Sequence, residues 1–239
     1  CEYSASFILG GMDILNQNPI DNAIYIIDKN VTHLYCDRLN NILNTDRLLI
    51  IEATEENKSL DCFPDYIDAL VELKVRRGQT LVVIGGGIIQ DIGCFLATTL
   101  MRGMSWIFYP TTLLAQSDSC IGSKSSINSG DIKNILGTFS PPNKVVIDVG
   151  FLSTLEEKDI SSGVGEMIKV HAINSPSDFD LIASNYEQII SSRSVMEKFI
   201  HRSLLMKKKL IEIDEFDQGA RNVMNYGHSF GHAIESATN

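Results

Sequence analysis

The chain has 239 residues and a formal net charge of −10; 44% of its residues are apolar and 21% are charged. This length can bury a full hydrophobic core, and the composition is ordinary for a globular protein. The acidic balance argues against a nucleic-acid partner, which would require a basic surface. No apolar run reaches the length needed to cross a bilayer. We therefore expect a cytoplasmic protein that binds neither nucleic acid nor membranes.

The cysteines and the chain ends indicate the setting of the protein. The five cysteines are scattered without C-x-x-C spacing, and this pattern predicts reduced thiols and no disulfide framework. The chain begins at Cys1 without an initiator methionine and ends inside a predicted helix. We expect it to be part of a longer polypeptide.

The first half of the chain alternates β-rich and helical segments. The predicted strands are AIYIIDKN, LLIIEAT, TLVVIGGG and MSWIFYPTT. The predicted helices are YIDALVELKVRRG, which should end at Gly78, and IIQDIGCFLATTL. Strand–helix alternation with continuously apolar strands predicts a parallel sheet covered by helices on both faces.

Beyond about residue 150 the pattern becomes mostly helical. The clearest helix is SSRSVMEKFIHRSLLMKKKLIEIDEF, whose apolar stripe includes Met196, Ile200 and Leu210. Lys207 falls on the same stripe, whereas the two lysines after it do not. A lysine on such a stripe either extends to the edge of the apolar surface or binds an anion.

Three consecutive glycines in LVVIGGGIIQD follow a buried strand and precede a helix. Glycines allow the backbone to approach a phosphate closely, and a helix N-terminus supplies free N–H groups. The G-x-G-x-x-G spacing is not met, so a tight turn without a ligand is the alternative. Asp91 could bind a ligand or stabilise the helix dipole from the first turn.

The next strand leads into a densely polar stretch, YPTTLLAQSDSCIGSKSSINSGDIKN. Such a composition fits either a solvated loop or a functional loop on a rigid α/β scaffold. Lysines among hydroxyl and amide groups suit a phosphorylated or carboxylated polyol.

Two further segments carry candidate ligands. Glu166 and Lys169 are three residues apart in SSGVGEMIKVHAI, and alone they are typical of a surface ion pair. In the final NYGHSFGHAIE, His228, His232 and Glu235 would share one helical face. The H-E-x-x-H pattern of metalloproteases is not met, and an isolated histidine pair is more often structural than metal-binding.

Taken together and in this order, these segments resemble the dehydroquinate synthase family of sugar-phosphate cyclases. The resemblance covers nearly the whole chain from about residue 20 and rests on GGGIIQD, MRG, PTTLLAQSDSCIGSK, KNILGTF, FLSTL, GEMIK and GARNVMNYGHSFGHAIE. It implies an N-terminal Rossmann-like NAD domain, residues 1–150, and a C-terminal α-helical domain for metal and substrate, residues 151–239. It also implies a homodimer, and a lyase of the shikimate pathway.

The resemblance also implies site residues. The metal, zinc or cobalt, would be bound by Glu166 and His228, with a further histidine ligand beyond Asn239. The substrate positions would be Arg102, Asp118, Lys124, Lys133, Asn134, Lys169, Lys207, Arg221 and His232. The NAD positions would be Asp28, Glu55, Lys58, Gly86, Gly87, Asp91, Thr111, Thr112, Phe151 and Thr154.

The chemistry of the family explains these residue types. Its substrate is a seven-carbon sugar acid phosphate, from which NAD takes a hydride before phosphate is eliminated; the hydride then returns and the ring closes. The metal acts as a Lewis acid, and lysines and arginines bind phosphate and carboxylate.

Three positions depart from the family pattern. Gln90 replaces a glycine of G-G-G-x-x-G-D, and Ser123 and Ser125 replace residues of G-G-K-T-x-x-N. They leave open a cyclitol-forming cyclase that acts on sedoheptulose 7-phosphate or a hexose phosphate. A metal-dependent polyol or glycerol-phosphate dehydrogenase is a further possibility, and so is a non-catalytic NAD-binding module.

Overall fold

We describe the fold from a computed structural model of the chain, which describes residues 3–225 and residue 227. Contacts between Cα atoms divide the chain into two compact units, Cys1–Val164 and Gly165–Asn239. The functional division predicted at residue 150 stays a prediction.

The strands, in chain order, belong to one parallel sheet and one hairpin. They are β1 (Ser4–Phe7), β2 (Ala23–Asp28), β3 (Leu48–Ile51), β4 (Thr80–Gly85), β5 (Ser105–Pro110), β6 (Lys124–Ser129), β7 (Ile132–Phe139) and β8 (Lys144–Ile147). Within the described residues, six of them form a parallel sheet in the order β1-β8-β5-β4-β2-β3. The predicted α/β fold with a parallel sheet is therefore confirmed.

The helices lie between these strands and then make up the rest of the chain. They are α1 (Gly11–Gln17), α2 (Lys29–Leu34), α3 (Asn40–Leu43), α4 (Phe63–Glu72), α5 (Gly87–Thr99), α6 (Glu157–Asn174), α7 (Pro176–Ser184), α8 (Tyr186–Ser191) and α9 (Arg193–Ile213). The predicted change to a mostly helical chain after residue 150 is confirmed.

The centre of the sheet is buried because its strands are continuously apolar. Every residue of β2 is buried, and β4 is buried from Leu81 to Gly85. The two strands pair in parallel, with Ile26 opposite Val83. Apolar side chains on both faces of these strands require a layer of helices on each side.

Two sequence predictions in this unit were wrong. Helix α4 ends at Glu72, not at Gly78, because the chain turns at Lys74, whose φ is +60°. The polar stretch predicted as a loop contains the antiparallel hairpin of β6 and β7. Gly137 permits this pairing, since a Cβ there would lie 2.4 Å from the Ser125 carbonyl oxygen.

In the second unit, α9 matches the long predicted helix and buries the predicted stripe. Met196, Ile200 and Lys207 are buried, whereas Lys208 and Lys209 are exposed. A small apolar cluster of Val170, Met206 and Met224 packs α9 against α6 and the turn after α9.

Two observations on the described part of the chain concern membrane-spanning helices and cysteines. No helix there combines the length and apolarity needed to cross a membrane. The described cysteines, Cys36, Cys62, Cys94 and Cys120, are thiols and not disulfide partners, as predicted.

Candidate active site

The topology of the sheet places a crevice at the carboxyl ends of β2 and β4. Strand β3 pairs on one side of β2, and the next strand along the chain, β4, pairs on the other side of β2. Ligands of open α/β sheets bind at such a switch point, outside the carboxyl ends of the strands. Asp28 ends β2 and Gly85 ends β4, so the predicted glycine turn lies at this crevice.

The glycines after β4 have different roles. A Cβ on Gly86 would lie 2.8 Å from the Thr112 methyl carbon, so Gly86 permits close packing against the chain after β5. A Cβ on Gly87, the first residue of α5, would meet nothing within 4 Å. The tight-turn interpretation therefore holds at Gly86, whereas Gly87 faces open space at a helix N-terminus that can receive an anion.

Asp28 provides a carboxylate on the β2 side of the crevice. It is only 7% exposed and caps α2 by accepting a hydrogen bond from the Asn30 N–H at 2.9 Å. Burial raises the pKa of Asp28, and the hydrogen bond from Asn30 opposes that rise.

Lys58 is buried and forms the centre of a polar network beside the crevice. Its Nζ lies 3.3 Å from Asp91 Oδ2 on α5 and 3.4 Å from Glu55 Oε1, and it donates to Asn134 Oδ1 on β7 at 2.9 Å. Only 8% of the Lys58 side chain is exposed. Lys58, Asp91 and Glu55 were predicted at NAD positions and Asn134 at a substrate position, and Lys58 joins the two sets.

Asn128, on β6 of the hairpin, hydrogen-bonds to two members of this network. Its amide nitrogen donates to Glu55 Oε1 at 2.9 Å, and its amide oxygen accepts from the Asn134 N–H at 2.8 Å. Asn134 adopts a left-handed conformation, with φ of +55°, which asparagine tolerates better than most residues. The bond from its N–H therefore holds Asn134 in the conformation in which its side chain reaches Lys58.

The two carboxylates of the network titrate differently. Burial raises the pKa of Asp91 to about 6, although the Lys58 charge and the Ser126 N–H oppose that rise. Burial would also raise the pKa of Glu55, but the hydrogen bond from Asn128 and the charges of Lys58 and Lys133 lower it overall. Asp91 is the fifth residue of α5, outside the first turn, so the dipole-stabilising alternative was wrong.

The remaining predicted NAD positions lie at the carboxyl ends of β5 and β8. Thr111 and Thr112 follow β5 directly, and the Thr112 hydroxyl accepts from the Ala115 N–H at 3.2 Å. Phe151 is 1% exposed and packs edge-on against Tyr35. The hydroxyls of Tyr35 and Thr154 lie 2.7 Å apart.

The predicted substrate positions of the first unit are divided between the carboxyl ends and the amino ends of the sheet strands. Asp118, Lys124 and Lys133 follow the carboxyl end of β5 along the chain, in the turn and hairpin. Arg102 follows α5, which returns the chain to the start of β5, so it lies at the opposite, amino-terminal edge. The fold of one chain does not bring Arg102 to the Lys58 network.

In the second unit, Glu166 and Lys169 line a groove of about 540 Å³ together with Ala172, Ile173 and Gly227. Lys169 Nζ lies 2.6 Å from Glu166 Oε1, and their side chains are only 17% and 18% exposed. The interpretation of this pair as a surface ion pair was therefore wrong. The pair is shielded from solvent by other segments of the same polypeptide that line the groove, and the i, i+3 spacing does not encode that shielding.

The other two predicted substrate cations that the structure describes in this unit are buried. Lys207 is 5% exposed and Arg221 is 7% exposed. The Arg221 guanidinium donates to the Glu215 carbonyl oxygen at 3.1 Å. The Arg221 backbone N–H donates to Asp214 Oδ2 at 3.1 Å. His228, His232 and Glu235, with the predicted helical face that they share, lie outside the described residues.

Sequence reasoning assigned no role to two members of the network, Ser126 and Asn128, nor to the separate pair of Gln90 and Ser119. The Ser126 N–H donates to Asp91 Oδ1, and the Ser126 hydroxyl donates to Asn134 Oδ1. Asn128 binds Glu55 and Asn134, and Gln90 pairs with Ser119. Two sequence signals pointed to Asn128, namely its place among polar residues and its match to the last position of G-G-K-T-x-x-N, whereas backbone donors such as that of Ser126 carry none.

A parallel sheet with a glycine turn at its switch point defines the class of α/β dinucleotide-binding folds. Comparison of the sequence with known families is more specific. The family model described as 3-dehydroquinate synthase N-terminal matches residues 48–162. The family model described as 3-dehydroquinate synthase C-terminal matches residues 163–239. The chain belongs to the 3-dehydroquinate synthase family.

Individual relatives agree with this assignment. The chain is 38% identical over 217 residues to a 3-dehydroquinate synthase of Bartonella bacilliformis, a match that spans 89% of this chain and 58% of that protein. It is 37% identical over 244 residues to one of Alkaliphilus oremlandii, covering 99% of this chain and 66% of that protein. The chain thus spans less than two thirds of the length of these relatives.

A solved structure shares the fold. The 2-epi-5-epi-valiolone synthase of Streptomyces hygroscopicus, with NAD+ and Zn2+ bound, superposes with a TM-score of 0.87 at 26% identity. The superposition covers 99% of this chain and 69% of that one.

Proposed function

We propose that the chain belongs to an NAD- and metal-dependent sugar-phosphate cyclase of the 3-dehydroquinate synthase type, a phosphate-eliminating lyase. Family membership supports this function. The observation that carries it is the position of Lys58, whose Nζ contacts the predicted NAD residue Asp91 and the predicted substrate residue Asn134. A catalyst that oxidises and re-reduces one substrate must hold cofactor and substrate side by side.

The described residues fit NAD. Gly87 leaves open space at the N-terminus of a 13-residue helix, and the Asp28 carboxylate lies across the switch point. Gly86 and Gly87 would receive the phosphates, and Lys58 and Asp91 would orient the reacting end. Bound NAD would accept a hydride and later return it, so no net NADH would accumulate.

The groove of the second unit fits a divalent metal in part. Glu166 supplies a carboxylate there, which pairs with the Lys169 ammonium, so a bound metal would take the place of that ammonium on Glu166. We propose Glu166 and His228 as ligands of zinc or cobalt, which would act as a Lewis acid. Glu166→Ala should lower the metal content of the purified protein, and unchanged metal content would contradict the assignment.

The remaining residues would bind the substrate. The cations would neutralise phosphate and carboxylate, and Asp118 and Asn134 would orient hydroxyl groups. The proposed cations are Arg102, Lys124, Lys133, Lys169, Lys207, Arg221 and His232.

A cyclitol-forming cyclase is the second candidate, and Ser123 favours it. Its hydroxyl is buried and has no hydrogen-bond partner among the described residues, at a position where the family pattern has glycine. The relative of similar fold from Streptomyces is a valiolone synthase.

Phosphate release from the natural full-length polypeptide, with catalytic NAD and a divalent metal, would test these proposals. Release from 3-deoxy-arabino-heptulosonate 7-phosphate without net NADH is the expected result. Release only from a neutral sugar phosphate would favour the cyclitol-forming cyclase. NADH accumulation on a polyol without phosphate release would overturn the proposal in favour of a dehydrogenase.

We also infer a cytoplasmic homodimer. Reduced cysteines suit the cytoplasm. Strand β7 supports the dimer, because within the described residues it pairs only with β6 and exposes Ile132 and Ile135 by 59% and 56%. An apolar edge strand invites a further strand, and a two-fold axis would pair β7 with its own copy.

A further inference from the structure

Gln90, at the position where the family pattern has glycine, forms a reciprocal pair with Ser119. Its amide nitrogen donates to the Ser119 carbonyl oxygen at 2.6 Å, and its amide oxygen accepts from the Ser119 hydroxyl at 2.6 Å. Gln90 is 5% exposed. Paired amide and hydroxyl bonds in a buried place fix both groups, because neither can turn to water.

Ser119 ends a π-helical turn, Ala115–Ser119, that contains the proposed substrate residue Asp118. The start of this turn is held by Gln116, whose amide nitrogen donates to the carbonyl oxygens of Pro110 and Asp148. Gln90 therefore holds the one end of the turn that the strand ends do not hold.

The next residue of α5 holds the far end of the same segment. Asp91 Oδ1 accepts from the Ser126 N–H at 3.0 Å. The segment from Ser119 to Ser126 is thus bonded at each end to one of two consecutive residues of α5. Between these ends the Gly122 N–H donates to the Tyr3 hydroxyl, and the residues from Lys124 onward pair with β7. The segment carries Lys124 and both serine departures, Ser123 and Ser125, so all three departures lie in one structural unit.

We propose that Gln90 is a positioning residue that sets the geometry of Asp118 and Lys124 toward the substrate. A glycine at position 90 would remove both hydrogen bonds to Ser119, and the segment would move more freely at its Ser119 end. The expected effect on substrate binding rests on the proposed function, whereas the expected effect on the mobility of the segment does not.

The test compares Gln90→Ala and Gln90→Met with the control Gln79→Ala in the full-length protein. Gln79 is also buried and also accepts a short hydrogen bond, from the Arg76 N–H at 2.6 Å, but it lies in the turn before β4, at the other edge of the sheet. Methionine keeps the volume of glutamine and removes the pairing.

Hydrogen exchange with NAD present gives the structural result. We expect amides 118–123 to exchange at least about tenfold faster in both Gln90 variants and at the parental rate in Gln79→Ala, since two hydrogen bonds are lost. Parental exchange in Gln90→Met would overturn the proposal, because packing alone would then hold the segment. Equal acceleration in Gln79→Ala would also overturn it.

Kinetics gives the functional result. We expect the KM of the sugar phosphate to rise about tenfold in both Gln90 variants, with NAD affinity changed less than about twofold. Faster exchange with an unchanged KM would overturn the positioning role. If the parent releases no phosphate from any candidate, the proposed function fails, while hydrogen exchange still decides whether Gln90 holds the segment.

Discussion

At the scale of single residues, Asp91 shows how burial and pairing set the charge of a group. It forms an ion pair with Lys58, yet burial raises its pKa to about 6. In the unfolded chain, the pKa of the Asp91 carboxyl would be near 3.8. Between these values the folded protein binds more protons, so the contribution of Asp91 to stability falls as pH rises through the window.

Asp91→Asn removes this titration. We expect the free energy of unfolding of the variant, relative to the parent, to rise by about 2 kcal/mol between pH 4 and pH 8. This value is below the full effect of the shift, since 22% of the Asp91 side chain is exposed. Urea unfolding at both pH values would measure the change.

Asp13→Asn is the control for this experiment. The hydrogen bonds from Arg38 lower the pKa of Asp13, so its titration lies below the tested range. A flat difference for Asp91→Asn between pH 4 and pH 8, or an equal rise for Asp13→Asn, would contradict the assignment of the titration to Asp91.

At the scale of elements, the turn from β4 to α5 separates packing from binding. Gly86 packs against Thr112, whereas Gly87 faces open space. One short glycine run thus contains a structural glycine beside one that is available to a ligand. The sequence predicted the turn and its neighbours, but not this division, because it depends on the distance to a residue of another strand.

The two alanine variants distinguish the roles. Gly86→Ala should lower the free energy of unfolding by about 1–3 kcal/mol, because the added methyl overlaps Thr112. Gly87→Ala should keep or slightly raise stability, since alanine favours the helix, and should weaken NAD binding by about tenfold or more. Thermal unfolding and NAD titration of both variants measure these effects. Unchanged NAD affinity in Gly87→Ala would contradict a phosphate site at this turn.

At the scale of the whole molecule, Arg102 and β7 raise the question of a second copy. Arg102 lies at the edge of the sheet opposite the Lys58 network. Strand β7 exposes apolar side chains, and its outer edge is unpaired within the described residues. A dimer would cover this edge.

Ile135→Lys should place a charge on the proposed β7 edge and shift the protein from dimer to monomer, because like charges would face each other across the two-fold axis. Sedimentation at several protein concentrations measures the shift. Val71→Lys, on the equally exposed face of α4, is the control. A monomeric parent, or an Ile135→Lys variant as dimeric as the parent, would contradict the interface.

The sequence by itself determined the strand–helix alternation, the parallel sheet, the glycine turn, the long helix α9 and the family. These features depend on neighbours in the chain: apolar runs, helical spacing and short motifs. The hairpin, the end of α4, the burial of the Glu166–Lys169 pair and the meeting of Lys58 with Asp91 and Asn134 were decided only by the tertiary structure. The Lys58 network joins residues that are 33 and 76 positions away along the chain, and Gly227 lines the groove of the Glu166–Lys169 pair; local propensity does not encode which distant segments will meet a side chain. The hairpin and the end of α4 depend on nearby turns, whose backbone angles the spacing of apolar residues does not show.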